Sequence, residues 1–189
     1  MPAEKIIAIG ASTGGVEALA QVLGRFSANV PPIVLTIHMP HGITRIYANQ
    51  LDDTLNLSAK EAEAGDYLKP GQVLVAPSGK HMTVVKRGGR WAVDCFVGEK
   101  VQYAIPSVDV LFESVAREVK QNAVGVLLTG IGADGARGLL QMRQSGAVTI
   151  GQNEETCVVY GMPKVAKEMD AVCHELPLEE IAHKILSLV

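Results

Sequence analysis

A serine, a histidine and an aspartate, far apart in the chain, each follow directly on a short apolar run. Ser12 lies in Gly10-Ala11-Ser12-Thr13-Gly14-Gly15, His38 opens His38-Met39-Pro40-His41-Gly42, and Asp134 lies in Gly130-Ile131-Gly132-Ala133-Asp134-Gly135. On a tight loop that leads into a helix, a serine hydroxyl has backbone N–H groups and a positive helix end beside it. Such donors can hold the oxyanion of an acyl-transfer intermediate. The same loop is a near miss to the dinucleotide fingerprint G-x-G-x-x-G, with Ser12 where the second glycine would admit a pyrophosphate, and it lacks the Gly-Lys-Ser/Thr of a Walker loop. Ser12 also fits a plain helix cap. Spacing alone leaves nucleophile, phosphate loop and cap open.

The second position separates the first two. A dinucleotide-binding unit needs an acid at that strand end for the ribose hydroxyls, whereas this chain offers His38. An imidazole is the base that a weakly acidic hydroxyl needs. The competing roles for His38 are a strand end without chemistry, or a metal ligand together with His41. Pro40 breaks helical spacing between the two and no third ligand is local, so no metal is expected. Asp134 would orient the imidazole through its other nitrogen and stabilise the imidazolium. Its competing role is the routine cap of the helix that follows. The order Ser, His, Asp differs from that of the α/β-hydrolases and the G-x-S-x-G elbow is missing, but triads are defined by geometry and role.

The elements that must bring these residues together alternate between buried strands and amphipathic helices. Residues 5–9, 33–37, 123–129 and 147–150 are continuous apolar runs, the signature of strands covered on both faces. Helices are expected over 16–26, 44–51, from Ser107 onward, after Gly135 to Gln144, and over 178–188, with a short strand near 171–174. Val108, Leu111, Phe112, Val115 and Val119 form an i, i+3, i+4, i+7 stripe behind a Ser107 cap. Residues 73–76, 81–86 and 91–96 read as short strands, with Ser78-Gly79 and Gly88-Gly89 as turns. The expected fold is α/β: a three-layer α/β/α arrangement with a mostly parallel, doubly wound sheet and an antiparallel hairpin at one edge. In such a sheet ligands bind beyond the carboxyl ends of the strands, where Ser12, His38 and Asp134 all fall.

Composition narrows the class. The chain has 189 residues, 48% of them hydrophobic, which supports one ordinary core and excludes disorder. One domain spanning 1–189 is expected. No apolar run approaches a membrane span and the N-terminus carries no secretion-type stretch, so no membrane insertion is expected. A net charge of −3 argues against a dedicated nucleic-acid binder. Cys95, Cys157 and Cys173 are odd in number, widely spaced and without a C-x-x-C pair, which fits a reducing cytoplasm and three buried, inert thiols.

Six blocks in order carry a family resemblance: IAIGASTGGVEAL, HMP-x-G-x-T-R, KHM, PSVDVLF, NAVGVLLTGIGADGARGLL and QNEETCVVYGMP. Together, from about residue 5 to 169, they resemble the chemotaxis protein-glutamate methylesterases, the CheB family. The resemblance implies the same three-layer fold and hydrolysis of glutamate γ-methyl esters on the cytoplasmic helices of chemoreceptors, with deamidation of receptor glutamines in many members. It puts the family's nucleophile, base and orienting acid on Ser12, His38 and Asp134, and its threonine after the serine on Thr13. The loop residues Thr13, Gly14, Gly15, Ile131 and Gly132 are the candidate oxyanion donors. No metal or organic cofactor is implied; the implied partners are a methylated chemoreceptor cytoplasmic domain and a receiver domain or other regulatory chain.

Departures from the family's usual residues fall at Ile37, Ile131 and Ala133, and at Gln102-Tyr103-Ala104-Ile105 ahead of the PSVD block. They leave the three principal residues intact and touch docking and rate. The usual member carries a receiver domain ahead of the esterase. Here only four residues precede the first strand run, so the expectation is a catalytic domain with no receiver domain in this chain, either stand-alone or excised. Two rivals stand beside the esterase: a general ester or amide hydrolase with the same triad, and a receptor- or nucleotide-binding module weakened in catalysis.

Overall fold

A computed structural model describes residues 5–189; residues 1–4, included in the expected 1–189 domain, lie outside the described residues. Seven strands form one sheet: β1 (Ile6–Ala11), β2 (Ile33–Ile37), β3 (Ser58–Glu61), β4 (Gln72–Val75), β7 (Ala123–Leu127), β8 (Val148–Gln152) and β9 (His174–Leu176). Their order is β3-β4-β2-β1-β7-β8-β9, and the pairings within it are parallel. The chain grows outward from β1 through β2 to one edge, then returns to the other side of β1 with β7. That reversal leaves a crevice beyond the carboxyl ends of β1 and β7.

Alternation along the strands divides the core into two layers. Ile7, Ile9, Ile33, Leu35, Val124 and Val126 face α1 (Gly15–Leu23), α2 (Ile43–Thr54) and α6 (Leu178–Leu188). Ile6, Ala8, Val34, Ala123 and Leu127 face α3 (Val108–Glu118), α4 (Ala136–Gln144) and α5 (Met162–Glu168). All six residues of β1 are buried, which is why its sequence reads as a continuous apolar run rather than an alternation.

Strands β5 (His81–Arg87) and β6 (Arg90–Phe96) pair antiparallel in full register around Gly88-Gly89. Both glycines have positive φ, 56° and 77°, as a two-residue primed turn requires. The hairpin is a separate two-stranded sheet and does not extend an edge of the main one. Its apolar face, Met82, Val84 and Val93, buries with α3, and the Val84 N–H donates to Ser114 Oγ at 2.9 Å. The cysteines also differ from expectation: Cys95 and Cys157 are half-buried and Cys173 is exposed. Burial still pushes the Cys95 thiol up to about 12 and the Cys157 thiol up to about 11, so neither is a ready thiolate.

Candidate active site

Strand register brings Ser12 and His38 side by side. Ala11 pairs with Ile37 in the β1–β2 ladder, and the His38 N–H continues it by donating to the Ala11 carbonyl at 3.1 Å. Each functional residue is thus one step beyond a paired position. On the other side of β1, the Ser12 N–H donates to the Thr129 carbonyl at 3.0 Å. Beyond it Gly130 passes close under Ser12: a Cβ there would lie 2.6 Å from Ser12 Cβ and 2.4 Å from Met162 Sδ, so only glycine fits. Gly14 turns the serine loop into α1 with φ 81°.

The loop from β7 to α4 then returns Asp134 to the crevice. Its Oδ2 lies 2.7 Å from His38 Nε2, with the carboxylate buried and the imidazole half-buried. Asp134 does not cap its own helix, as the competing role would have it. The cap position of α4 is Gly135, with no side-chain bond, and the Asp134 carboxylate sits on the N-terminus of α3 instead. There Oδ1 accepts from Ser107 Oγ (2.8 Å) and the Asp109 N–H (2.9 Å), and Oδ2 accepts from the Val108 N–H (2.8 Å). Four donors therefore converge on one carboxylate at the amino end of α3.

Ser12, His38, Met39, Lys100, Tyr103, Ala104, Ile105 and Ile131 line a single cleft of about 350 Å³. Among the described residues no hydrogen bond joins Ser12 Oγ to His38; such contacts often close only when a substrate is bound. Because a carboxylate only accepts, Nε2 of His38 donates to Asp134, and in the neutral ring Nδ1 carries the free lone pair.

The serine loop supplies donors selectively. The Gly15 N–H is already spent on the Ser12 carbonyl at 2.7 Å, which removes Gly15 from the expected oxyanion set. Among the described residues no hydrogen bond engages the N–H groups of Thr13 and Gly14. Ile131 is exposed and lines the cleft, and Gly132 follows it at φ 92°. Among the departures, Ile37 is buried in the core and packs toward Gly15.

Sequence reasoning missed the residues that hold this set in place. Thr129, buried, shares its hydroxyl proton between the Thr13 and Val159 carbonyls (3.0 and 3.2 Å), while its N–H donates to Gln152 Oε1 at 2.8 Å. His81 on β5 accepts from the Ser107 N–H at 3.1 Å and donates through Nε2 to the Glu99 carbonyl at 2.7 Å. A signal existed in the blocks KHM and PSVD, but nothing in their spacing says that they meet. Among the described residues no group of three or more metal-type side chains is close enough to hold an ion, and no helix is long and apolar enough to cross a membrane.

Residues 7–185 match the family model described as CheB methylesterase. The crystal structure of the Thermotoga maritima CheB methylesterase catalytic domain superposes with a TM-score of 0.95, at 37% identity and 98% coverage of both chains. Among curated proteins, a protein-glutamate methylesterase/protein-glutamine glutaminase of Syntrophomonas wolfei is 51% identical over 97% of this chain and 54% of its own length. Those of Sulfurimonas denitrificans and Shigella flexneri are 51% and 44% identical, over 53% and 54% of their lengths. The chain therefore spans about half the length of the curated relatives it matches.

Proposed function

The chain belongs to the CheB methylesterase family, and from that premise and the geometry of the cleft we propose that it hydrolyses glutamate γ-methyl esters on a chemoreceptor cytoplasmic domain, with Ser12 as nucleophile, His38 as general base and Asp134 as orienting acid. The observation that carries this reading is the 2.7 Å contact between Asp134 and His38 Nε2 at the mouth of a cleft that also holds Ser12.

His38 Nδ1 takes the proton of Ser12 as Oγ bonds to the ester carbonyl carbon. The resulting oxyanion meets the Thr13 and Gly14 N–H groups, helped by the amino end of α1. The C–O bond to the methoxy group then breaks, and His38 returns the proton so that methanol leaves. Water, deprotonated by the same nitrogen, attacks the acyl-enzyme and frees the glutamate carboxylate. With a glutamine substrate, ammonia leaves in place of methanol, which is the deamidase activity in the relatives' names. No step needs a metal or organic cofactor.

A protein-borne substrate suits the rim. Tyr103 and Ile131, 96% and 67% exposed, both line the cleft, and Val158, also exposed, stands against Gly14. Exposed apolar side chains clustered around one mouth mark a contact surface. Such a receptor substrate makes the cytoplasm the place of action, and a receiver domain or other regulatory chain is the expected control partner.

Methanol release from methylated receptor, compared among wild type, Ser12→Ala and His38→Ala, tests the reading. Each substitution should lower turnover at least about 10³-fold, because the members act as a unit. Undiminished release by Ser12→Ala ends it.

A further inference from the structure

Asp109 is a fully buried acid that the reaction above does not use. It stands in the first turn of α3, where its Oδ1 accepts the Gly138 N–H of α4 at 2.7 Å. Its Oδ2 is buried with no hydrogen-bond partner, and its own N–H donates to Asp134 Oδ1 at 2.9 Å. The pattern is reciprocal. Asp134 precedes α4 and caps α3; Asp109 belongs to α3 and caps α4. Neither aspartate serves its own helix.

The exchange occurs at a close approach of the two helices. A Cβ on Gly138 would lie 2.6 Å from Phe112 Cβ and 3.0 Å from the Asp109 carbonyl oxygen, so α3 and α4 meet there nearly backbone to backbone. Tethering one helix to the other needs an acceptor at that point. It does not need a carboxylate, whose second oxygen is left buried and unsatisfied at a cost. A residue retained at such a cost invites a role beyond packing.

We propose that Asp109 is a positioning residue for the esterase reaction: by holding the Gly138 N–H it fixes the start of α4 against α3, and so fixes Asp134 on His38. The proposal rests on the triad reading of Ser12, His38 and Asp134. The charged groups around the Asp109 carboxyl are Asp134 from the loop before α4, Arg137 from α4 and Glu113 from α3. Burial first, then Asp134 and Glu113, push the Asp109 carboxyl up to about 6, against the Gly138 N–H and Arg137.

Steady-state methanol release by Asp109→Ala and Asp109→Asn, with folding checked by circular dichroism, tests this. Asp109→Ala should lower kcat about 10- to 100-fold with KM within about twofold, the signature of misplacement rather than lost binding. Asp109→Asn, whose amide oxygen can still accept from Gly138, should recover most of that loss. Rescue by Asp109→Asn would mark the accepted Gly138 N–H, rather than the charge, as what positions Asp134. A merely structural residue would lower stability without a selective loss of kcat that the amide restores. Wild-type kcat in folded Asp109→Ala, a loss confined to KM, or no recovery in folded Asp109→Asn would each overturn the proposal. Turnover that survives Ser12→Ala instead sinks the triad reading, so the two failures are told apart.

Discussion

The backbone N–H of Ser107 donates to Nδ1 of His81 across 3.1 Å, while the Ser107 hydroxyl donates to Asp134 Oδ1 at 2.8 Å. One residue thus joins a histidine on the small hairpin to the acid of the cleft. Both ring nitrogens of His81 are engaged, since Nε2 donates to the Glu99 carbonyl at 2.7 Å. The hairpin therefore acts on the cleft from outside the main sheet, through the first residues of α3.

His81→Ala should then behave as a loss of aim. It leaves the buried Ser107 N–H without its acceptor, a deficit of about 1–3 kcal/mol. Urea unfolding should register that loss, and methanol release should show kcat reduced about tenfold with KM little changed. Unaltered kcat in a destabilised but folded variant would confine His81 to stability.

How much of this could be read from the chain depends on what each segment buries. The runs at β1, β2, β7 and β8 are legible because both faces are covered and nearly all their residues are buried, most of them apolar. β3, Ser-Ala-Lys-Glu, is not, because it is a partly exposed edge strand with one buried side chain. α5 was missed because seven residues with a proline near the start give no periodicity to detect. The hairpin is legible from its glycine turn. Its attachment is not, because apolar burial is non-directional and does not reveal whether Met82 and Val84 cover a sheet edge or α3. In the cleft, Ser12, His38 and Asp134 stand out because each follows a buried strand. Their supports do not, since His81, Ser107 and Asp109 reach Asp134 only through tertiary contact. The cap role expected of Asp134 was sound chemistry assigned to the neighbouring helix.

Tyr103 should set affinity for a protein substrate. It occupies a two-residue turn closed by reciprocal Val101–Ala104 hydrogen bonds of 3.0 Å, and both central residues are left-handed, Gln102 at φ 51° and Tyr103 at φ 63°. Neither is glycine, so the turn carries strain of about 1 kcal/mol or more per residue while holding an aromatic ring in solvent at the lip. Tyr103→Ala should raise KM for methylated receptor about threefold to tenfold and leave kcat within twofold. Turnover of a small activated ester, which cannot span the rim, should hardly change. Equal effects on both substrates would place Tyr103 in the chemistry and remove it from docking.

Asp109 should leave a signature in stability as well as in rate. Its folded-state value of about 6 lies above the ordinary 3.8, so between those values the folded protein binds more protons than the unfolded chain. Stability from this group is therefore fully present below about pH 4 and is lost as pH rises through about 6. The full span corresponds to roughly 3 kcal/mol. Asp109→Asn cannot titrate, so its urea midpoint should lack this component: wild type should lose stability relative to the variant as pH is raised from 4 to 7. Above pH 7 the variant should be at least as stable as wild type, because its amide can still accept from Gly138 without a buried charge. Urea titrations at closely spaced pH values would measure the difference. Parallel wild-type and variant curves across that window would show that the Asp109 carboxyl ionises in the folded protein as it does in the unfolded one.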